Sequence, residues 1–524
     1  MRSAGTTRRA SYSRSLALVL IPTALGTALG FVREITVGFY FGATAAADAL
    51  AVAIYLYDTT WSFFFQGGLA YAVVPVAAAV RASGDTRAER QLLTGLLGWV
   101  AVTAVVVLGG LTFGREWFAD SMFAGRPTED RHLLSVALGI SAPGFALVAV
   151  AGALACVLQA YERYGPPPLG RVGWNALAIT AISAAPAALR FPAALWGLVA
   201  GAAVQVGFAW RALPRRPEPP GESSFTSLPV REVLRKSVPA FLGLGAISLA
   251  LGLGERSFLG RLDPGSVAVA NYALRTVNLA SMVALAFFTV GFAQAALEQA
   301  NGERAAVAGS VLGTVRRGLF VLAPLAAVIY VLAEPTVSLL FGRGAFTEDA
   351  VRSTAACLRI YALSVVPGFL LGIFARALFV AGREWAAVAA NGFVTLVALS
   401  WDGAALSRLG VLAIPGGYAL GFAIAAGFAA VVLRRTIGFG HGFAGALVPL
   451  GLAGGLAVIA THVVPVGRLL APWRGPWWQL LGLFGAGSVL LGGYAVLAAV
   501  LHIPELGSAW GHLRRMINLV RGLA

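Results

Sequence analysis

The chain has 524 residues, of which 58% are hydrophobic and only 12% charged, with 39 Lys and Arg against 23 Asp and Glu for a formal net charge of +16. Soluble chains carry roughly 25% charged residues, so this one lacks the polar surface that several soluble domains of its length would need. Nor does the basic excess indicate nucleic acid, because the arginines are dispersed among short loops between apolar runs and no separate basic domain carries them.

The remaining polar chemistry is sparse. Cys156 and Cys357 both fall in apolar runs, which argues against a disulfide framework. His132, His441, His462, His502 and His512 are scattered, with no ligand pair at metal-site spacing. Lys236-Ser237 is preceded by Arg235 where a phosphate-binding loop requires Gly, so ATP does not drive this protein. No cofactor is expected.

In chain order, Arg2, Arg8, Arg9 and Arg14 precede an apolar run from Ser15 to about Tyr40. It is too long for a signal-peptide core and reads as a first membrane helix. Further spans are expected near 46–80, 91–113, 133–160, 170–189, 192–211, 233–254, 266–297, 309–333, 353–379, 384–401, 409–433, 443–465 and 477–501, about fourteen in all, each close to the roughly 20 residues that cross a bilayer. The break between the fifth and sixth rests on Arg190 and Pro192. The expected fold is therefore an all-α polytopic membrane protein.

The domain reading is a six-helix lobe over 1–212, a cytoplasmic linker over 213–232, a second six-helix lobe over 233–435, a helix pair over 436–501 and an amphipathic tail over 502–524. The linker is rich in proline, charge and serine. In the tail Leu513, Met516, Ile517 and Val520 share a helical face, as in a helix lying on a leaflet. Basic residues concentrate in alternate loops, among them Arg81, Arg87, Arg90, Arg163, Arg171, Arg376, Arg383, Arg434 and Arg435, which predicts that both termini are cytoplasmic.

An internal repeat is legible. Ser141, Pro143, Gly144 and Phe145 recur as Ser364, Pro367, Gly368 and Phe369, and Ala153-Leu154 as Ala377-Leu378, at an offset of about 224 residues. Asp48, opening span two, answers Asn271, opening span eight, at nearly the same offset. Six spans separate the copies, an even number, so they share one orientation, as in alternating-access transporters with parallel repeats.

Ionisable residues inside apolar spans mark pathways or partners. Here they are Arg33, Glu34, Asp48, Asp58, Arg275 and Arg359. Each has a bland reading: Arg33 snorkels to headgroups, Asp48 caps the start of span two, Arg359 is solvated near the surface. By helical rise, Asp58 and Arg275 lie at similar depth, roughly 15 Å in, and an ion pair between the lobes is one reading. Gly26 and Gly30 have the spacing for close helix contact, a weak signal among 64 glycines.

Several segments carry a family resemblance: LGFVRE at 29–34, FGATAAAD at 41–48, Gly67-Gly68, Val74-Pro75, the run from Gly152 to Tyr164, NYALR at 271–275, and LFGRGAF at 340–346. In these the chain resembles the MurJ/MviN family of lipid II flippases, within the multidrug/oligosaccharidyl-lipid/polysaccharide exporter superfamily. The resemblance implies two six-helix lobes, a cation-lined cavity and two further helices that form a groove for a lipid tail. It implies a membrane-embedded monomer that moves a polyprenyl-pyrophosphate-linked glycan across the bilayer, coupled to an ion gradient or the membrane potential. Arg33 and Arg275 become candidates for binding the pyrophosphate, and Asp48 and Asp58 for gating or ion coupling. The family pattern also fails in places: Thr27 and Trp61 or Ser62 stand where cavity arginines are expected, Gln66 replaces a usual Glu, and span seven has no acid before Glu255. These gaps leave open an exopolysaccharide or capsule unit as cargo, a transport-inactive scaffold for envelope-synthesis proteins, and cation-coupled drug export.

Overall fold

A computed structural model describes residues 3–66, 68–161, 163–213, 230–233, 235, 246–300, 304–438, 443–462 and 475–507. Among these residues the regular structure is helical throughout, without a strand. The helices are α1 (Ser3–Phe41), α2 (Ala45–Trp61), α3 (Gly68–Ala82), α4 (Thr86–Met122), α5 (Thr128–Ala160), α6 (Pro166–Ala184), α7 (Arg190–Ala212) and α8 (Ile247–Gly260), followed by α9 (Ser266–Ala300), α10 (Arg304–Val331), α11 (Ala333–Phe341), α12 (Glu348–Val380), α13 (Glu384–Leu409), α14 (Ala413–Ile437), α15 (Val448–His462) and α16 (Pro476–Val500). Every span expected from hydropathy contains a helix. Most of the linker and all of the tail beyond Gly507 lie outside the described residues.

Seven helical stretches are long and apolar enough to cross a bilayer by length and composition. One of them, Glu384–Ile437, is 54 residues long and contains both α13 and α14, joined by a 3-10 turn. Others fall short for local reasons. The second expected span is divided, because the 17-residue α2 runs into a π-helical turn at Ser62–Gln66 before α3 begins. Such a turn frees a carbonyl from the helical ladder, and Cys156 on α5 donates its Sγ–H to Phe64 O at 2.9 Å.

The chain forms two compact units, one of residues 1–268 with 344–346, the other of 269–343 with 347–524. In the first unit α5 is central and packs against α2, α4 and α7, while α6 pairs with α7 and with α1. In the second unit α12 is central and packs against α10, α13 and α14, while α13 pairs with α14. The repeat thus reappears as packing: α5 and α12 carry the two Pro-Gly-Phe motifs, and each leans on the second helix of the hairpin that follows it.

The two copies use the motif differently. In the first, Tyr57 of α2 is fully buried and donates its hydroxyl to Ser141 O at 3.2 Å, with its ring against Phe145 at 4.4 Å. It fits only because position 144 is glycine, since an added Cβ would lie 2.7 Å from Tyr57 Cζ. In the second, the nearest atom to a Cβ at Gly368 is Phe422 Cδ1 at 3.7 Å, an ordinary contact.

Candidate functional site

Two polar clusters are built on opposite ends of α2, both within the first unit. At its start Thr44 caps α2, its hydroxyl accepting from Ala47 N. Asp48 is therefore not the cap of its own helix. It is fully buried and turned to a different element. Its Oδ1 accepts from Ala268 N at 2.7 Å and its Oδ2 from Gly265 N at 2.8 Å, which satisfies free N–H groups in the first turn of α9. Gly265 has φ +96°, and a side chain there would run into the Ala43 carbonyl, so the turn requires glycine.

Asp48 Oδ2 also accepts from Arg126 Nη1 at 2.7 Å. Arg126 sits in the α4–α5 turn, 5% exposed. Its remaining donors reach the carbonyls that end α8: Nη2 to Leu259 O at 3.3 Å and Asp263 O at 3.1 Å, Nε to Leu262 O at 2.9 Å. A helix ends in partial negative charge and begins in partial positive charge. The guanidinium therefore neutralises the end of α8, the carboxylate the start of α9, and the two neutralise each other. Arg126 escaped the sequence reading, since it lies in a short polar turn whose partners are 78 or more positions away.

Ten residues along α2 the second cluster forms around Asp58. Arg33 and Glu34 of α1 are each 2% exposed, and Arg33 Nη2 donates to Glu34 Oε1 at 2.8 Å. Arg33 Nη1 donates to Asn175 Oδ1 at 3.0 Å, and its guanidinium lies 3.9 Å from Asp58. Arg33 is thus engaged inside the bundle rather than extended to headgroups. Arg171 of α6 pairs directly with Asp58. Its guanidinium lies 4.4 Å from the Trp174 ring centroid and 5.8 Å from that of Trp61; Arg33 lies 4.6 Å from Trp174. Trp174 is fully buried and is fixed by its indole N–H donating to Leu198 O at 3.0 Å.

Two glycines of α1 face α6 here, and an added Cβ at either would make only an ordinary contact. A Cβ at Gly26 would meet Arg171 Cγ at 3.6 Å, and one at Gly30 would meet Asn175 Nδ2 at 3.5 Å. Asn175 Nδ2 donates in return to Gly26 O at 2.9 Å. The four-residue glycine spacing on α1 thus faces the four-residue Arg171–Asn175 spacing on α6. Arg171 is a charge that the loop tally assigned to a connection; the structure places it one turn inside α6.

Of the candidates, Arg33 and Asp58 are brought together, and Asp48 belongs to the separate clasp with Arg126. Arg275 lies in α9, in the second unit, half-buried one turn after the buried Asn271. Arg359, also in the second unit, donates to Glu334 Oε2 at 3.2 Å at an exposed site. Among the described residues no group of three or more His, Cys, Asp or Glu gathers as a metal site. The second unit also holds an apolar cavity of about 620 Å³, walled by α10, α12, α14 and α15 through residues such as Ala326, Leu370, Phe374, Ala430 and Ala457.

Comparison with known proteins places this architecture. A probable lipid II flippase MurJ from Haemophilus influenzae is 27% identical over 448 residues, 78% of this chain and 82% of that protein. Its counterpart from Buchnera aphidicola subsp. Acyrthosiphon pisum is 23% identical over 386 residues, 70% of this chain and 73% of the relative. Among solved structures, a lipid II flippase MurJ in an inward closed conformation shares the fold with a TM-score of 0.78, at 16% identity, over 92% of this chain and 99% of that one. An inward-facing multidrug resistance MATE family transporter of the MOP superfamily shares it at TM-score 0.69 and 15% identity, over 81% of this chain and 98% of that one. The family model described as "Lipid II flippase MurJ" matches residues 37–473, most of the chain and all of α2 to α15. This chain is a multi-pass inner-membrane protein of the MurJ family.

Proposed function

We propose that this protein moves lipid II, an undecaprenyl-pyrophosphate-linked peptidoglycan precursor, from the inner to the outer leaflet by alternating access. The observation that carries the reading is the family match across residues 37–473, which contains the Asp48 clasp, Asp58, Arg275 and the apolar cavity. The protein acts as a transporter and makes no covalent change to its cargo.

Each part of the cargo has a chemically matched counterpart. The pyrophosphate needs charge-assisted donors; Arg275 in α9 is read as one, and Arg33 in α1 as positive charge that acts through the cluster around it. The polyprenyl tail needs an apolar wall, and the cavity beside α15 supplies one of adequate size. Asp48 and Asp58 are the gating or ion-coupling carboxylates, Asp48 because it joins two helix ends that must separate if α8 and α9 are to move against α2. We infer coupling to an ion gradient or the membrane potential, which acts on a charged headgroup as it moves through the bilayer. We read 1–212 and 233–435 as the two moving lobes, joined by the 213–232 linker, with both termini cytoplasmic by the positive-inside bias.

Reconstituted vesicles carrying labelled lipid II test this reading. The protein is expected to render inner-leaflet label accessible to an external quencher, and Arg275→Ala to lose that activity while remaining folded. Vesicles in which the purified protein leaves the label inaccessible would contradict it. Transport of an undecaprenyl-pyrophosphate-linked exopolysaccharide unit in place of lipid II would move the assignment to that cargo, in keeping with Thr27 and Trp61 at positions where the family has arginines.

A further inference from the structure

The Asp58 cluster is unequal in its exposure. The side chain of Arg33 is 3% exposed, that of Asp58 16% and that of Arg171 25%. Arg33 has Asn175, Glu34 and Asp58 around its guanidinium and no open edge toward solvent. A pyrophosphate would have to break that buried set to reach it, leaving Glu34 without its cation in a low-dielectric interior. Arg171 is different. It is more exposed, its guanidinium shares the Trp174 ring with Arg33 and has Trp61 beside it, and its partner Asp58 is itself at the accessible edge.

A planar guanidinium presents paired N–H donors along its edges that fit carboxylate and phosphate oxygens alike. Stacking on an aromatic face holds the plane while leaving the in-plane donors available. Asp58 Oδ1 accepts from Arg171 Nη2, and its Oδ2 lies 3.9 Å from Arg33, so it has a second cation to turn to when it leaves the first. Arg33 lies beside both Glu34 and Asp58, so the exchange keeps each carboxylate next to a cation.

We propose, building on the flippase reading, that Arg171 is the residue of this unit that grips the pyrophosphate, and that Asp58 is an internal anion which the pyrophosphate displaces onto Arg33. Arg33 is then a positioning residue that receives Asp58, and α6 supplies the accessible cation beside the Trp61 ring. No bond is made or broken; one ion pair is exchanged for another.

The test is binding of undecaprenyl pyrophosphate to the full-length protein in detergent, read by native mass spectrometry, with undecaprenol as the uncharged control and a thermal melt to verify folding. Arg171→Ala is expected to weaken undecaprenyl pyrophosphate about tenfold or more, as loss of hydrogen bonds to a charged group does, and to leave undecaprenol binding unchanged. Arg171→Lys, which keeps charge but loses the fork, is expected to fall between. Asp58→Asn removes the competitor while leaving Arg171 in place, and is expected to tighten pyrophosphate binding several-fold. A merely structural Arg171–Asp58 pair would instead weaken binding in both Arg171→Ala and Asp58→Asn, or in neither, and either result overturns the proposal. A wild-type protein that binds undecaprenol and undecaprenyl pyrophosphate equally would overturn the flippase reading along with it; a preference for pyrophosphate that survives Arg171→Ala would overturn the Arg171 assignment alone.

Discussion

Asp48 and Arg126 stabilise each other and two helix ends at once, so removing either leaves an uncompensated buried charge. Arg126→Ala would strand Asp48 and uncover the Leu259, Leu262 and Asp263 carbonyls. Breaking one side of a buried pair costs about 3–5 kcal/mol, and thermal unfolding in detergent is expected to report a loss of that order. Asp48→Asn retains an acceptor for one of the two α9 N–H groups and is expected to cost less. The double substitution is expected to cost clearly less than the sum of the two, because each single change carries the penalty of the partner left behind. Strict additivity would mean that the two side chains do not act as a unit. If the clasp is a gate, the same substitutions also shift the protein toward conformations in which α8 and α9 have left α2, readable as increased labelling of a cysteine placed in the α8–α9 turn.

At the scale of the helix, the two Pro-Gly-Phe copies make a paired prediction. Gly144→Ala forces a Cβ into the Tyr57 ring and is expected to destabilise by about 1–3 kcal/mol, the usual range for overpacking. Gly368→Ala meets only Phe422 at 3.7 Å and is expected to be neutral or to stabilise by up to about 1 kcal/mol. Thermal melts of the two variants side by side measure this; equal effects would mean that the Tyr57 contact does not discriminate the copies. These helices were legible because a run of apolar residues long enough to cross a bilayer has few other folds available. The repeat was legible because proline and glycine mark backbone positions rather than interchangeable bulk. Tyr57 was not, since nothing local distinguishes a tyrosine that inserts into a neighbour from one at an interface. Arg171 was visible as a charge, but the loop tally that uses it for orientation is blind to where its guanidinium points, and Arg126 gave no local sign of partners 78 or more positions away. Asp48 shows the same limit: its place near a helix start was correct, and the helix that it caps was a different one.

At the scale of the whole molecule, the first unit holds the cation–carboxylate cluster, and the second holds the arginine-bearing α9 and the apolar cavity beside α15. The parts are separable by experiment. Ala430→Trp or Ala457→Trp would project an indole into the 620 Å³ cavity and narrow it while leaving Arg33, Arg171 and Arg275 untouched. Transport of lipid II in vesicles is expected to fall by roughly tenfold in such variants, equivalent to about 1.4 kcal/mol, and binding of a short-chain pyrophosphate analogue to persist. Unchanged transport with a tryptophan in the cavity would remove the tail from this part of the molecule.

The claim on which the rest depends is that the protein delivers lipid II to the outer leaflet. It is tested most directly by depleting the protein from its own host and measuring lipid II in each leaflet of the inner membrane. The account predicts accumulation in the inner leaflet followed by lysis, rescued by the wild-type chain and not by Arg171→Ala or Arg275→Ala. Viable cells with unchanged lipid II in both leaflets would contradict it, and the loss of a surface polymer from those cells would name the cargo instead.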